Sequence, residues 1–340
     1  MGTDASPSPN SHTKCAKCGA PARLRCSGCT EAPEYKSDEA IQPVYYCNGK
    51  CQGEHWPEHK APCGVMQKRK KLLRIASILK ATILAYRECA YDLDIERIEF
   101  RRDEGVLLLH HRSQIALDYP LYIPFPQLVA TEDIHREAAL AWNQCTLSVG
   151  LFRPLARYLL EGVSCETNIT AVSIGKPELS IKVMCGSVEI KDGHVPSHTI
   201  LVAELPTNQQ HNSNEEWVID PTGCQYGLRD ALVPLEKYTR DNQCREEEWL
   251  EAWTSTETSD IDFALASPST TPAEKLDLET ERATRLHFAS FIRAHIGKNG
   301  ADFANGLLSS SEAVFKAKLD VFLMDVKMHM TEFVAKKQLR

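Results

Sequence analysis

Apolar residues recur at three- and four-residue steps along residues 65–90, where Leu72, Ile75, Leu79, Ile83 and Tyr86 share one face. That period predicts an amphipathic helix. The period then changes. Ile95 to Arg101 roughly alternates, Asp103-Glu104-Gly105 offers a turn and Val106 to His110 returns, which predicts a hairpin. His110 and His111 are neighbours in the return strand, so their rings point to opposite faces and cannot easily chelate one ion. Pro120, Pro124 and Pro126 enforce an extended link. Helices are predicted near 132–145 and 152–161, the second ended by Gly162.

From Gly162 the pattern turns to β. Ile181 to Cys185 reads as a strand, and His198 to Glu204, apolar and β-branched at its centre, reads as one buried on both faces. Trp217 to Gly223 reads as a strand running into a turn, after a polar excursion from Thr207 to Glu216. Residues 254–272 are rich in Ser, Thr and Pro and read as a flexible link. Glu274 to Ile296 and Ser310 to Gln338 read as helices. The last carries Phe315, Leu319, Phe322, Val326, Met330 and Phe333 on one stripe, which predicts packing against the body, with a partner-binding helix as the alternative.

Composition narrows the class. A chain of 340 residues that is 43% apolar and 25% charged can bury one large core or two moderate ones, which disfavours fibrous and wholly disordered proteins. No apolar run approaches the length of a bilayer span. Residues 1–12 are polar and Ser/Pro-rich; they read as disordered and offer no apolar secretory segment. The expectation is an intracellular protein, nuclear or cytoplasmic, with no membrane partner.

Thirteen cysteines change that plain picture. Seven fall early, at Cys15, Cys18, Cys26, Cys29, Cys47, Cys51 and Cys63. An odd total with this clustering argues for reduced thiols and metal, not a disulfide framework. Charge is uneven as well. Residues 1–75 carry 12 Lys and Arg against 7 Asp and Glu, while the remainder is net acidic. That shift marks a boundary near residue 65, with a finger over 13–64, a body over 65–253, a linker over 254–272 and a helical tail over 273–340.

The spacing is Cys-x2-Cys twice, then Cys47-x3-Cys51, then His59-x3-Cys63. Knuckles and helical turns present paired ligands in this way, and zinc takes four sulfur or nitrogen donors in a tetrahedron. Four pairs make two closed structural sites, and the metal supplies stability that so short a segment lacks. Spacing leaves sequential and interleaved pairing both open, and His55 competes as a ligand.

The run Tyr46-Cys47-Asn-Gly-Lys-Cys51-Gln52-Gly-Glu-His55-Trp56-Pro-Glu-His59-Lys60-Ala-Pro-Cys63 closely resembles the second half of a MYND-type zinc finger, and Cys15 to Cys29 resembles the first. The resemblance implies a cross-brace with Cys15, Cys18, Cys47 and Cys51 on one zinc and Cys26, Cys29, His59 and Cys63 on the other. It makes His55 a non-ligand beside the packing residue Trp56. It also implies a protein-interaction module that accepts short proline-containing peptides. The seventeen residues between Cys29 and Cys47 are longer than the family's usual spacing, and residues 30–45 read as a surface loop insertion. Two zinc ions on seven thiolates reduce the positive excess to about +2, so nucleic-acid binding is not indicated. Lys68-Arg69-Lys70-Lys71 resembles a nuclear import signal, though a solvated helical turn is the plainer reading. A lysine methyltransferase with a MYND finger inside a SET domain is disfavoured, because this finger is N-terminal and no Asn-His-x-Cys run follows.

A second constellation lies in the body. Cys165, His198 and Asp220 follow the order of a thiol nucleophile, its base and an orienting carboxylate. The stretch His198 to Thr222 resembles the His strand and Trp-x-x-Asp-Pro-Thr strand of transglutaminase-like and papain-type cysteine enzymes. That resemblance implies a hydrolase or acyl transferase, active or degenerate, as the alternative to an adaptor. The plainer reading makes Cys165 a small buried residue, His198 a satisfied strand end and Asp220 a turn former. The expected fold class is α+β: a cross-brace two-zinc finger, a mixed helical and antiparallel β body, and a helical tail.

Overall fold

The computed structural model describes residues 14–35, 44–112, 122–130, 132–190, 197–206, 214–247 and 255–338. The expected disordered segment 1–12 lies outside the described residues, as does half of the loop insertion, residues 36–43. The chain is α+β. A two-stranded antiparallel ribbon, β1 (Leu24–Arg25) and β2 (Tyr45–Tyr46), opens it. Helix α1 (Gly49–Cys89) follows, with Asn48 at its N-cap accepting the Cys51 backbone N–H at 2.9 Å. The helix is much longer than the period over 65–90 predicted. It takes in the second half of the finger and runs through the composition boundary near residue 65 without a break.

The predicted hairpin is present as β3 (Ile95–Arg101) and β4 (Val106–His111). Helix α2 (Asp133–Ala141) ends four residues earlier than expected, and α3 (Cys145–Leu160) starts seven residues earlier. Between them Asn143 takes a positive φ of 55°, a conformation Asn tolerates better than most residues, and the chain turns there. Strands β5 (Glu166–Ser173), β6 (Ser180–Cys185), β7 (Val188–Ile190), β8 (His198–Leu205) and β9 (Glu215–Ile219) come next. A 3-10 turn (Gly223–Tyr226), β10 (Leu232–Pro234), α4 (Leu235–Asp241) and β11 (Arg245–Glu247) complete the body.

Two sheets form. One is antiparallel with order β10-β9-β8-β5-β11; the other has order β3-β4-β6-β7, with β4 and β6 parallel. Both faces of the five-stranded sheet are covered, as the apolar run in β8 predicted. On one face Leu201, Ala203, Leu205, Trp217 and Ile219 join the main core with α1 and α3. On the other, Ile200, Val202 and Val218 pack with Val172 and Tyr238 of α4. A second core fills the space between the four-stranded sheet and α2, with Leu107, Leu109, Val183 and Ala138 to Leu140.

The tail is helical but begins sooner than expected. The Ser/Thr/Pro-rich stretch read as a flexible link holds α5 (Ser259–Ala266), whose Ile261 is buried. Thr271 and Glu274 form a reciprocal capping box at the start of α6 (Pro272–Leu308). One of the polar residues that suggested flexibility, Thr271, is therefore a helix cap. Helix α7 (Glu312–Gln338) buries Phe315, Phe322, Val326 and Met330 in the main core, with Leu319 and Phe333 packed beside them. The stripe serves core packing.

Finger and body share more than α1. Arg69, 2% exposed, makes paired hydrogen bonds to Glu215 on β9 at 2.5 and 2.8 Å and donates to Pro33 O on the finger's loop. Tyr35 packs against Trp217 with ring centroids 5.3 Å apart, and its hydroxyl accepts the Glu216 N–H. The basic run Lys68–Lys71 is thus not a freely solvated turn, because its second residue is an internal ion-pair partner. Removing one member of a buried pair strands the other charge, at a cost of about 3–5 kcal/mol. We expect Arg69→Ala to lose about that much stability in urea unfolding, and Arg69→Met combined with Glu215→Leu to lose clearly less.

Candidate functional site

The eight finger ligands fall into two sets. Donor atoms of Cys15, Cys18, Cys47 and Cys51 lie within 4.8 Å of one another, and so do those of Cys26, Cys29, His59 and Cys63. The pairing is interleaved, as the cross-brace requires. A tetrahedron with Zn–S bonds of about 2.3 Å has sulfur–sulfur edges of about 3.8 Å. The sulfurs of Cys18 and Cys47 are 3.6 Å apart, those of Cys18 and Cys51 3.8 Å, and those of Cys26 and Cys63 3.7 Å. His59 Nε2 lies 3.4 Å from Cys29 Sγ. These separations and the all-sulfur/nitrogen donor chemistry fit two structural zinc ions.

Local structure explains the convergence. The ribbon β1/β2 sets the first knuckle beside Cys47 (Ala16 N–H bonds Tyr45 O at 2.9 Å), and α1 carries Cys51, His59 and Cys63 on its first turns. Gly28, inside the second knuckle, is required by space: a Cβ there would meet Cys63 Sγ at 2.6 Å. Metal-free thiols at this density resist ionising together, and the hydrogen bond with Cys47, helped by desolvation, pushes the Cys51 thiol up to about 12. A divalent cation removes that conflict. His55 stands outside both sets; its Nδ1 pairs with the Tyr46 hydroxyl at 3.0 Å.

The body constellation is only partly assembled. His198 Nε2 and Asp220 Oδ2 are 2.8 Å apart and both side chains are essentially unexposed. Asp220 also accepts the Tyr238 hydroxyl at 2.8 Å and the Thr222 N–H at 3.2 Å. Gly223 lets the turn pass over the carboxylate, since a Cβ there would lie against Asp220 Oδ2. Desolvation opposes charge on both groups, but each stabilises the other: Asp220 raises the His198 ring to about 10, and His198 holds Asp220 below the usual carboxylate range.

Cys165 does not join them. In the β5/β8 ladder His198 faces Val172 while Glu204 faces Glu166, so Cys165 sits at the far end of the strand pair, about 20 Å from His198 at about 3.3 Å per residue. Cys165 is exposed, donates to Glu204 O and borders a cavity of about 870 Å³ together with Arg153, Arg157 and Tyr158. No imidazole lines that cavity.

A different thiol stands beside the pair. Cys145 is the first residue of α3, 4% exposed, and its Sγ donates to Ser197 O at 3.6 Å, next to His198. Thr146 and Thr199 hydroxyls bond at 3.1 Å and tie the start of α3 to the start of β8. Burial pushes the Cys145 thiol up, yet the adjacent His198 ring and the backbone of Thr199 and Thr146 bring it below its ordinary range overall. The expected helix over 132–145 placed this residue at a helix end. The usable signal was Trp142-Asn143-Gln144, three residues that interrupt the helical pattern just before it.

Residues 15–63 match the MYND finger family. No curated protein and no solved structure matches the chain. The finger is therefore a MYND-type zinc-binding module, a class that mediates protein interactions. Among the described residues no helix is long and apolar enough to cross a membrane. Elemental analysis is expected to find two zinc ions per chain, and one in Cys26→Ser. Because thiolates bind the metal and protons compete for them, acidification should release zinc, and a chelator should lower the melting temperature.

Proposed function

We propose that this protein is an adaptor whose finger recruits proline-containing peptides and whose body holds the finger in a fixed orientation. The observation that carries this reading is the closure of both metal sites. Each set supplies four protein donors, so neither zinc has a position for a reacting ligand, and the metals organise a surface instead. On that surface Trp56 is 40% exposed and its ring meets His59 edge-on at 6.2 Å, which holds it in place from the metal side. An exposed, pre-positioned indole is a suitable platform for a proline ring, and an extended peptide loses little conformational entropy on binding. The helix α1 and the Arg69–Glu215 pair support the rigid mounting.

The hydrolase reading based on Cys165 lacks support, because among the described residues no imidazole lines the cavity beside that thiol. The adaptor reading is tested by calorimetric titration with a panel of proline-containing peptides. Micromolar binding is expected, with Trp56→Ala weakening it at least about tenfold while zinc content stays at the wild-type level. Unchanged affinity in Trp56→Ala would overturn the proposed surface.

A further inference from the structure

Unpaired polar atoms concentrate at one place in the body. Six buried side-chain nitrogen or oxygen atoms among the described residues have no hydrogen-bond partner in the protein, and four of them belong to Gln144, His198, Thr222 and Gln225. Thr222 and Gln225 lie in the turn after Asp220, and Gln144 lies at the start of α3. Gln144 precedes Cys145, and Gln225 Oε1 accepts the Asn143 N–H at 3.1 Å, leaving its Nε2 unpartnered. Thr222 bonds Asp220 through its backbone while its hydroxyl has no partner. His198 engages Asp220 through Nε2, leaving Nδ1 unpartnered beside Cys145. Buried polar groups are almost always paired, so a cluster of groups without a protein partner marks a place where a water, an ion or a ligand completes the bonding.

We propose that Cys145, His198 and Asp220 form a nucleophilic triad that takes an acyl group from an ester, thioester or carboxamide onto the Cys145 sulfur, with Gln225 Nε2 and the Cys145 N–H as oxyanion donors. The geometry supplies each role. Cys145 opens a sixteen-residue helix, so its N–H has no intrahelical acceptor and the helix dipole favours a thiolate. Protonation of His198 at Nδ1 gives that nitrogen a donor hydrogen for the Cys145 thiolate, which removes one of the four orphans. Asp220, held by Tyr238 and Thr222, orients the ring through Nε2, and Tyr226 meets its face edge-on at 4.9 Å. Asp220, Tyr226, Tyr238 and Cys145 are the titratable groups around the ring, from the end of β9, the 3-10 turn, α4 and α3. This reading is independent of the finger's role.

In the reaction the thiolate attacks the carbonyl carbon and a C–S bond forms. The C–O, C–S or C–N bond to the leaving group breaks, and His198 Nδ1–H gives that group its proton. Water then attacks the thioester, His198 takes the water's proton, and the sulfur leaves as thiolate with the acid as product.

Full-length, zinc-loaded protein is treated at pH 6 with iodoacetamide and, separately, with 4-nitrophenyl acetate, then mapped by peptide mass. Exposed Cys165 is the internal reference. We expect Cys145 to react at least about tenfold faster than Cys165 despite its burial, because only an activated thiol is ionised at pH 6. Cys145→Ser should remove the nitrophenolate burst and Cys165→Ser should leave it unchanged. His198→Gln should slow Cys145 alkylation at least about tenfold at pH 6 and much less at pH 10, where a free thiol ionises unaided. Faster modification of Cys165 in the wild type overturns the proposal by itself, whether or not the His198 variant folds. An unchanged pH 6 rate in folded His198→Gln overturns it as well.

Discussion

Helix α1 is the element on which both halves of this protein depend. Its first turns carry three zinc ligands, Cys51, His59 and Cys63, and its last turns bury Leu72, Ile75, Leu79, Ile83 and Tyr86 in the main core. The metal-bearing part is a poor helix in isolation. Pro57 and Pro62 each remove a backbone donor from its interior, at about 3 kcal/mol apiece. Coordination at His59 and Cys63 offsets that loss by fixing the same turns from outside, while the buried apolar face, worth about 1.5–3 kcal/mol per large side chain, anchors the other end. Zinc affinity and the placement of the finger on the body are therefore linked through one rod.

The short strand β9 provides the second link. Glu215 at its start receives Arg69 from α1, and Trp217 both donates to Glu215 at 3.0 Å and packs against Tyr35 from the finger's loop. Asp220, just past its end, holds His198. Five residues of strand thus connect the finger's docking contacts to the buried polar cluster. Because β9 lies between β8 and β10 with both faces covered, a change at Glu215 has little room to be absorbed locally.

The zinc ligands were legible because coordination imposes both residue type and spacing, and few other constraints produce four such pairs. The strands β8 and β9 were legible from their apolar runs. What escaped was decided by single turns. One positive φ at Asn143 moves Cys145 from the end of one helix to the start of another, and no periodicity reports a single residue's φ. The register of β5 against β8 then decides which thiol meets His198, and register depends on the whole sheet. Arg69 shows the same limit from another side. A run of four cations reads as solvated until a partner 146 residues away buries one of them. In residues 254–272 the polar composition was the same whether it loosened the chain or capped helices, and Thr271 with Glu274 does the latter.

The two polar centres of this chain obey opposite rules. In the finger, every donor atom is directed at a metal position and coordination is complete, so the chemistry ends with structure. At and near His198, four buried groups have no hydrogen-bond partner among the described residues. Each such group costs about 1–3 kcal/mol relative to a satisfied one, a burden that a fold optimised only for stability would shed by apolar replacement. Asp220, in the same region, accepts from His198, Tyr238 and the Thr222 N–H, so the open hydrogen-bonding positions are confined to the groups around it. The economical account is that the orphaned groups are complementary to atoms that arrive and leave, which is the condition for a site that binds a changing charge more tightly than a resting one.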